Sequence, residues 1–215
     1  MSKYLFLVEG KADATFLRDC LIQLYTKIVI EKETKKEKIL RLNNDLIKIQ
    51  IAGGYTAITG NFKVNIRESY DSKYEILIIQ DADNSEKENG GVEKRNIYLE
   101  KFKKEMGISF ETFLFPNNKE DGNLETLLLQ IVNKEKFDKA MDCFQKYANC
   151  VKEITYNDDF RTELLADKSR IFCYFRTYNG IKNAKEENRI FDSDYWNFSS
   201  EYIKPFESFL ERIIK

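Results

Sequence analysis

Short apolar runs alternate with stretches of helical periodicity through the first half of the chain. Apolar residues recur at helical spacing over 12–25, and helical patterns also follow the later runs. This rhythm predicts an α/β fold with an open, mainly parallel sheet flanked by helices. The four runs that are typical of buried strands are 4–8 (YLFLV), 46–51 (LIKIQI), 74–79 (YEILII) and 109–115 (SFETFLF).

The second half of the chain has a different pattern, in which helical periodicity replaces the alternation. We expect an α/β core over residues 1–133 and a helical part over 134–215 that packs on it to form one compact unit. Residues 27–44, which are rich in lysine, predict an inserted hairpin or a mobile loop. Helices are predicted over 124–132, 134–150, 158–178 and 199–214.

Composition limits the chemistry that this chain can perform. It contains no histidine, the side chain that most often serves as a general base and as a transition-metal ligand. Histidine-dependent hydrolases, histidine-ligated zinc enzymes and histidine-based nucleases are therefore excluded. The four cysteines form no CxxC pair, so we expect them to be small buried residues rather than zinc ligands. Catalysis would depend on carboxylates, lysine, hydroxyls or hard cations.

The charge balance argues against a broad basic surface for nucleic acid, because the net charge is −1. The basic stretch 32–38 (KETKKEK) and the pair Lys103 and Lys104 could contact phosphates or could form solvated faces. No apolar run approaches the roughly 20 residues of a membrane span, and the N-terminal run ends at Glu9. We therefore expect no membrane association and a cytoplasmic location.

Carboxylates follow the two clearest strands, at the point where apolar residues end. Glu9 and Asp13 lie at the first strand-to-helix junction, and Asp81 and Asp83 follow the run 74–79. Either pair alone could form only a helix cap or a turn. Because the carboxyl ends of parallel strands share one edge of a sheet, all four side chains are expected to lie together, and the DxD spacing places its two aspartates on one side of an extended segment. Crowded carboxylates favour Mg²⁺ or Mn²⁺, which prefer oxygen ligands.

These residues resemble a known family. The pattern FLVEGKADATFL, followed by IIQDADNS, is similar to the Toprim domain of primases, topoisomerases, recombination proteins and overcoming-lysogenization-defect nucleases, over residues 3–130. The resemblance implies a Toprim-like sheet on which Glu9, Asp81 and Asp83 bind Mg²⁺ for phosphodiester chemistry, with Asp13 at a further acidic position of the nucleases. One feature departs from the family, because glycine is delayed after the DxD until positions 90 and 91.

The downstream half resembles DUF3226, a family of small Toprim-like bacterial proteins, in its GNLETLL segment and its closing tryptophan–phenylalanine stretch. Similarity to the Toprim nucleases implies that Glu125 adds to the metal site and that Lys168 stabilises charge at the attacked phosphate. Glu125 is equally typical of a first helical turn, and Lys168 of an exposed lysine. The sequence has no zinc ribbon, strand-passage region or P-loop, so a protein partner would have to supply any ATPase or targeting function.

Three functions remain open from the sequence. The first is a Mg²⁺- or Mn²⁺-dependent nuclease acting on DNA or RNA, with Glu9, Asp81, Asp83 and Lys168 as catalytic residues. The second is a phosphatase, because a strand followed by DxDxS also resembles haloacid dehalogenases, with Asp81 as nucleophile and Asp83 as acid. The third is a non-catalytic module that binds metal and nucleic acid, or a partner protein.

Overall fold

A six-stranded sheet runs through the centre of the protein, as seen in a computed structural model that describes residues 1–154 and 166–214. The strand order is β2-β3-β4-β1-β5-β6. β4, β1, β5 and β6 are parallel, whereas β2 and β3 pair in the antiparallel sense. The strands are β1 (Lys3–Val8), β2 (Ile28–Glu33), β3 (Glu37–Leu42), β4 (Asp45–Ile51), β5 (Glu75–Asp81) and β6 (Glu111–Phe115).

Helices cover both faces of the sheet. α2, α3 and α4 pack on one face, whereas α1, α5, α6, α7 and α8 contribute to the core on the other. The prediction of a mainly parallel α/β sheet followed by a mostly helical part is confirmed. The helices are α1 (Lys11–Leu24), α2 (Tyr55–Thr59), α3 (Lys63–Asp71), α4 (Val92–Met106), α5 (Leu124–Ile131), α6 (Lys134–Ile154), α7 (Asp167–Ala184) and α8 (Lys204–Ile213), with a 3-10 turn at Glu186–Asn188.

Burial on both faces explains the uninterrupted apolar sequence of β1. Leu5 and Leu7 pack towards α2, α3 and α4, whereas Tyr4, Phe6 and Val8 pack towards α1 and the C-terminal helices. All five side chains are almost inaccessible to solvent. Burial of each aliphatic side chain contributes roughly 1.5–3 kcal/mol to folding, so β1 anchors both layers and holds its C-terminal end firmly in place.

The lysine-rich segment 27–44 forms a hairpin of β2 and β3 that extends the sheet beyond β4. β2 is the edge strand, and five of its six residues are exposed. Charged side chains occupy this edge, and one ion pair joins Lys32 Nζ to Glu37 Oε1 at 2.6 Å. Such an edge discourages pairing with another chain.

Several boundaries differ from those that the pattern predicts. β5 continues to Asp81, because that residue still pairs with Phe115 of β6. Residues 158–165 of the predicted helix 158–178 lie outside the described residues, and α7 continues to Ala184 across a break at Gly180, where φ is 78°. The final helix begins at Lys204 rather than at 199, with Pro205 in its first turn.

The expectation that the cysteines are buried is wrong for two of them. Cys20 is buried, but Cys143 and Cys150 are exposed and Cys173 is partly exposed. Both exposed cysteines lie on α6, which is an amphipathic helix. Within the described ranges, none of the helices has both the length and the apolar character required to cross a bilayer.

The connections of the parallel strands create a crevice between β1 and β5. The chain leaves β1 through α1 on one face of the sheet, whereas it leaves the neighbouring β5 through α4 on the opposite face. Loops that diverge in this way open a crevice at the carboxyl ends of the strands, where ligands of open α/β sheets bind. The fold therefore directs attention to the residues that follow β1 and β5.

Candidate functional site

Glu9 and Asp81 lie at the carboxyl ends of two neighbouring strands, β1 and β5. Glu9 follows the last residue of β1, and Asp81 is the last residue of β5. The backbone N–H of Asp81 donates to Oε1 of Glu9 at 3.1 Å. The backbone N–H groups of Gly53 and Gly54 donate to the carbonyl oxygen of Glu9 at 2.9 and 3.1 Å. Neighbouring loops thus hold both the backbone and the side chain of Glu9 at the strand end.

The start of α1 brings Asp13 to the same edge. Asp13 is buried in the first turn, and its Oδ2 accepts a hydrogen bond from the Gly10 N–H at 2.6 Å. A Cβ at position 10 would lie 3.3 Å from that oxygen, so a glycine allows the close approach. An acidic side chain here also interacts favourably with the positive end of the helix dipole.

Glu125 reaches the edge from the start of α5. Asn123 caps this helix, and its Oδ1 accepts the Thr126 N–H at 3.0 Å. The backbone N–H of Leu124, the first residue of α5, donates to Oδ1 of Asp81 at 3.0 Å. Glu125 is therefore in the first turn and is only 8% exposed. The end of β5 and the start of α5 are tied together through the carboxylate of Asp81.

The electrostatics of these carboxylates are unfavourable to their charged forms. Burial raises the pKa of Glu9 to about 7, and the charge of Asp13 adds to the rise. Burial likewise raises the pKa of Asp13 to about 6, and the charge of Glu125 contributes. The pKa of Asp81 lies well above its ordinary value, first because of burial and then because of Asp13, Glu9 and Glu125. Neighbouring carboxylates thus destabilise the charged forms of Glu9, Asp13 and Asp81, an effect that a bound divalent cation would reverse.

Asp83 has a different environment. It adopts a left-handed conformation with φ at 61°, so the extended geometry assumed for the DxD does not continue to this residue. Its backbone pairs with Gly122, and its carboxylate accepts from Lys87 Nζ and from Arg95 Nη2, both at 2.7 Å. Partial burial favours the neutral form, but the two cations outweigh it and lower the pKa of Asp83. Asp83 is held as a paired anion beside the other carboxylates.

Lys168 lies in the first turn of α7, at the margin of the carboxylate group. Its Nζ forms an ion pair with Oε1 of Glu186 at 2.9 Å, so its direct partner is not one of the predicted ligands. Its charge nevertheless acts on Asp13, whose pKa it lowers, and it also interacts with Glu125. The structure therefore places Lys168 near the edge but pairs it with a residue that no motif indicates.

Arg189 is a second cation at this margin, and the sequence analysis missed it. It is 2% exposed, its guanidinium lies 5.0 Å from the ring centre of Phe175, and its Nε donates to the Ala184 carbonyl at 3.3 Å. Within the described part of the chain, its Nη1 has no hydrogen-bond partner. Burial lowers its pKa, and the nearby charges of Glu125 and Asp13 oppose that shift. The sequence around Arg189 lies between predicted helices and has no motif that would indicate a buried cation.

The donor chemistry at this edge fits a hard cation, although the ligands are not already arranged around one point. In residues 1–154 and 166–214, no three histidine, cysteine or acidic side chains form a group that could hold a metal ion as they stand. Oε1 of Glu9 and Oδ1 of Asp81 each accept a backbone N–H. Each of these oxygens keeps another lone pair, and each carboxylate has a second oxygen, so both side chains could bind an ion while they accept these hydrogen bonds.

Together, the fold and these side chains define an α/β protein with an acidic site at the crevice of a mainly parallel sheet. The family described as "Protein of unknown function (DUF3226)" matches residues 3–215, so the chain belongs to this family. The crystal structure of hypothetical protein PH0156 from Pyrococcus horikoshii OT3 is similar over 100% of both chains, with a TM-score of 0.54 and 16% identity. That likeness supports the fold alone. No curated protein shows significant similarity.

Proposed function

We propose that this protein uses Mg²⁺ or Mn²⁺ to cleave phosphodiester bonds in nucleic acid. The ion would be held at the carboxylate edge, which consists of Glu9, Asp13, Asp81 and Glu125 with Asp83 beside them. The observation that carries the proposal is the crowding of Glu9, Asp13 and Asp81, each with a raised pKa, at the crevice where an open α/β sheet binds its ligands. The Toprim-like sequence around Glu9 and the DxD supports the same chemistry. Because the chain has no histidine, activation of water would depend on the metal.

Each residue has a role in this proposal. Glu9, Asp81 and Asp83 would hold the ion, and Asp83 would do so after exchanging a cationic partner for the metal. Asp13 and Glu125 would complete a second ion site or orient water. The ion would act as a Lewis acid on the phosphate and lower the pKa of bound water. Two cations would stabilise the attacked phosphate. One is Lys168, which the resemblance to Toprim nucleases implies, and the other is Arg189.

The distribution of charge favours a nucleic acid that binds only near the carboxylate edge. The net charge of −1 provides no broad basic surface, and the acidic edge alone would repel phosphate. A divalent ion at the edge, with Lys168 and Arg189 beside it, would convert that edge into an attractive site. A partner protein that supplies an ATPase or targeting function remains part of the proposal, because the sequence has no P-loop.

The geometry is less favourable to a phosphatase that uses an aspartyl-phosphate. In that mechanism Asp83 would donate a proton, yet Lys87 and Arg95 lower its pKa and keep it ionised. A non-catalytic binding module would use the same carboxylates and would differ from the nuclease only in the absence of cleavage. Such a module would gain thermal stability from metal without cutting nucleic acid.

A cleavage assay tests the proposed function. Labelled single-stranded and duplex DNA and RNA are incubated with Mg²⁺, Mn²⁺ or EDTA, and products are separated on a denaturing gel. We expect metal-dependent cleavage by the wild type and a loss of at least about a hundredfold in Asp81→Ala, because a first ligand is removed. Asp142→Ala, an exposed change on α6, is the matched control and should cut normally. The proposal fails if the wild type cuts none of these substrates with either metal.

A further inference from the structure

A cleft of about 980 Å³ lies between α6, α7 and the 3-10 turn Glu186–Asn188. It is separate from the crevice between β1 and β5, and no motif in the sequence indicates it. Its volume is at the upper end of the range for sites of small molecules, roughly 300–1,000 Å³. Aromatic side chains form part of its lining and basic side chains another part, a combination typical of surfaces that bind single strands.

Two aromatic side chains of the lining are exposed to solvent. Phe172 is 38% exposed and Tyr147 is 56% exposed, although both are large and line a concave surface. The ring of Phe144 stacks beside that of Tyr147, with the planes at 23° and the centroids 6.4 Å apart. Exposed aromatic side chains inside a cleft are suited to stacking against flat ligands such as nucleobases.

The charged part of the lining is predominantly basic, although the chain as a whole carries a charge of −1. Glu186 and Glu187 are its acidic members, and they pair with Lys168 at 2.9 Å and with Lys11 at 3.5 Å. Arg189 provides the strongest indication of an anionic ligand, because it is 98% buried and its Nη1 has no partner among the described residues. The basic members of the lining are Lys168, Arg176, Lys185 and Arg189.

The cleft adjoins the carboxylate edge. Lys168 and Arg189 line it, and the same two cations interact electrostatically with Asp13 and Glu125. A phosphate bound at Arg189 would therefore lie beside the carboxylates that we propose to hold the metal. A chain that follows the cleft would be guided from the aromatic rings to that edge.

We propose that this cleft binds single-stranded nucleic acid, with unpaired bases on Phe172 and Tyr147 and a backbone phosphate at Arg189. The proposal rests on the function proposed above and narrows its substrate. A duplex keeps its bases stacked on each other and offers mainly phosphates, whose binding would need the broad basic surface that this chain lacks. An unpaired strand can use both the ring faces and the local cations.

Fluorescence anisotropy in EDTA tests this binding independently of cleavage. The probes are fluorescein-labelled oligo(dT) and oligo(rU) of about 15 nucleotides and a duplex of the same length. We expect the wild type to bind at least one single strand more tightly than the duplex. Phe172→Ala and Tyr147→Ala should each weaken binding at least about fivefold, since a stacked base contributes about 1 kcal/mol or more. Tyr70→Ala, which truncates an exposed aromatic residue on α3, is the matched control.

A second pair of variants tests the basic part of the lining. Arg176→Gln should weaken binding and reduce its salt dependence, whereas Lys101→Gln, which removes the same charge from the exposed surface of α4, should not. Both aromatic variants change exposed residues, and circular dichroism checks that they fold. Absence of single-strand binding, equal or tighter duplex binding, or wild-type affinity in both aromatic variants overturns the inference. Binding that depends on the cleft without any cleavage would leave it standing and overturn only the nuclease proposal.

Discussion

Helix α1 carries two buried aspartates that are six residues apart and have opposite surroundings. Asp13 faces the carboxylate edge, whereas Asp19 lies in a network of paired charges. The guanidinium of Arg18 donates to both oxygens of Asp19, at 2.7 and 2.9 Å, and the Phe191 N–H donates to it at 2.8 Å. Arg18 also pairs with Glu33 of the hairpin at 2.7 Å. This network joins the hairpin, α1 and the C-terminal part.

Burial raises the pKa of both aspartates, so burial does not distinguish them. At Asp19, hydrogen bonds and the charge of Arg18 oppose the rise. At Asp13, the Gly10 N–H opposes it, but Glu125 adds to it. A buried carboxylate with its own cation stabilises the fold, whereas one among other carboxylates is suited to bind a cation from solution. The neighbours of an acidic residue therefore indicate its role better than its depth does.

Removing Arg18 should produce the largest effect, because the network depends on complete pairing. Arg18→Leu leaves Asp19 buried without its cation, so we expect the free energy of unfolding to fall by about 3–5 kcal/mol. Urea denaturation followed by circular dichroism measures the change. Arg41→Leu breaks the more exposed pair with Glu31 on the same hairpin and should lower stability by about 1 kcal/mol or less. Equal losses in the two variants would contradict the distinction between the paired network and the surface.

Neutralising Glu9 should have a smaller effect of opposite sign. Because the fold raises its pKa from 4.5 to about 7, it favours the protonated form, and stability is lost as pH rises through that interval. Glu9→Gln keeps an acceptor for the Asp81 N–H, but its side chain does not ionise, so its stability does not fall as pH rises through this interval. In EDTA we expect equal stability near pH 4 and a gain of about 1–2 kcal/mol at pH 8, after a discount for partial exposure.

Denaturation curves at both pH values measure this difference, with the exposed change Glu68→Gln on α3 as the control. Manganese should then reverse the order at pH 8, since the wild type retains a ligand that the variant has lost. A Glu9→Gln variant that is less stable than the wild type at pH 8 in EDTA would show that the carboxylate has a favourable partner. That result would contradict the conclusion that the surroundings of Glu9 disfavour its charged form.

The sequence predicts the parts of the molecule that depend on continuous burial. Runs such as 74–79 must be apolar because both faces of the strand are covered, and the polar residues that end them mark the edge of the sheet. The sequence therefore predicts that Glu9 and Asp81 lie at strand ends along one edge of the sheet, whereas the adjacency of their strands is seen only in the structure. The sequence of 27–44 is compatible with either a hairpin or a mobile loop, because β2 is an exposed edge strand whose charged residues hide the alternation.

The partners of the charged residues could not be predicted, because they come from distant parts of the chain. Arg189 lies between helices in a segment without periodicity, yet it is buried beside Glu125. Arg95 lies on α4, twelve residues after Asp83, and its contact with that carboxylate depends on the course of the intervening loop. A DxD pattern specifies where two carboxylates follow a strand, but not which cations surround them.

The two aspartates of the DxD repeat the contrast of α1 on a smaller scale, and Lys87 allows the finest test of it. Asp81 interacts with carboxylates, whereas Asp83 is paired with Lys87 and Arg95.

Lys87→Gln should free one oxygen of Asp83, so we expect Mn²⁺ binding to strengthen about two- to fivefold, in keeping with an exposed pair worth less than about 1 kcal/mol. Lys94→Gln removes the same charge from a lysine whose Nζ donates to the carbonyl oxygens of Ser85 and Lys87 instead of to Asp83. Calorimetry of both variants separates release of Asp83 from a general loss of positive charge, because only the first effect is specific to Lys87. If Mn²⁺ affinity rises equally in both variants, Lys87 does not compete with the metal. Asp83 then stabilises the loop and is not a metal ligand.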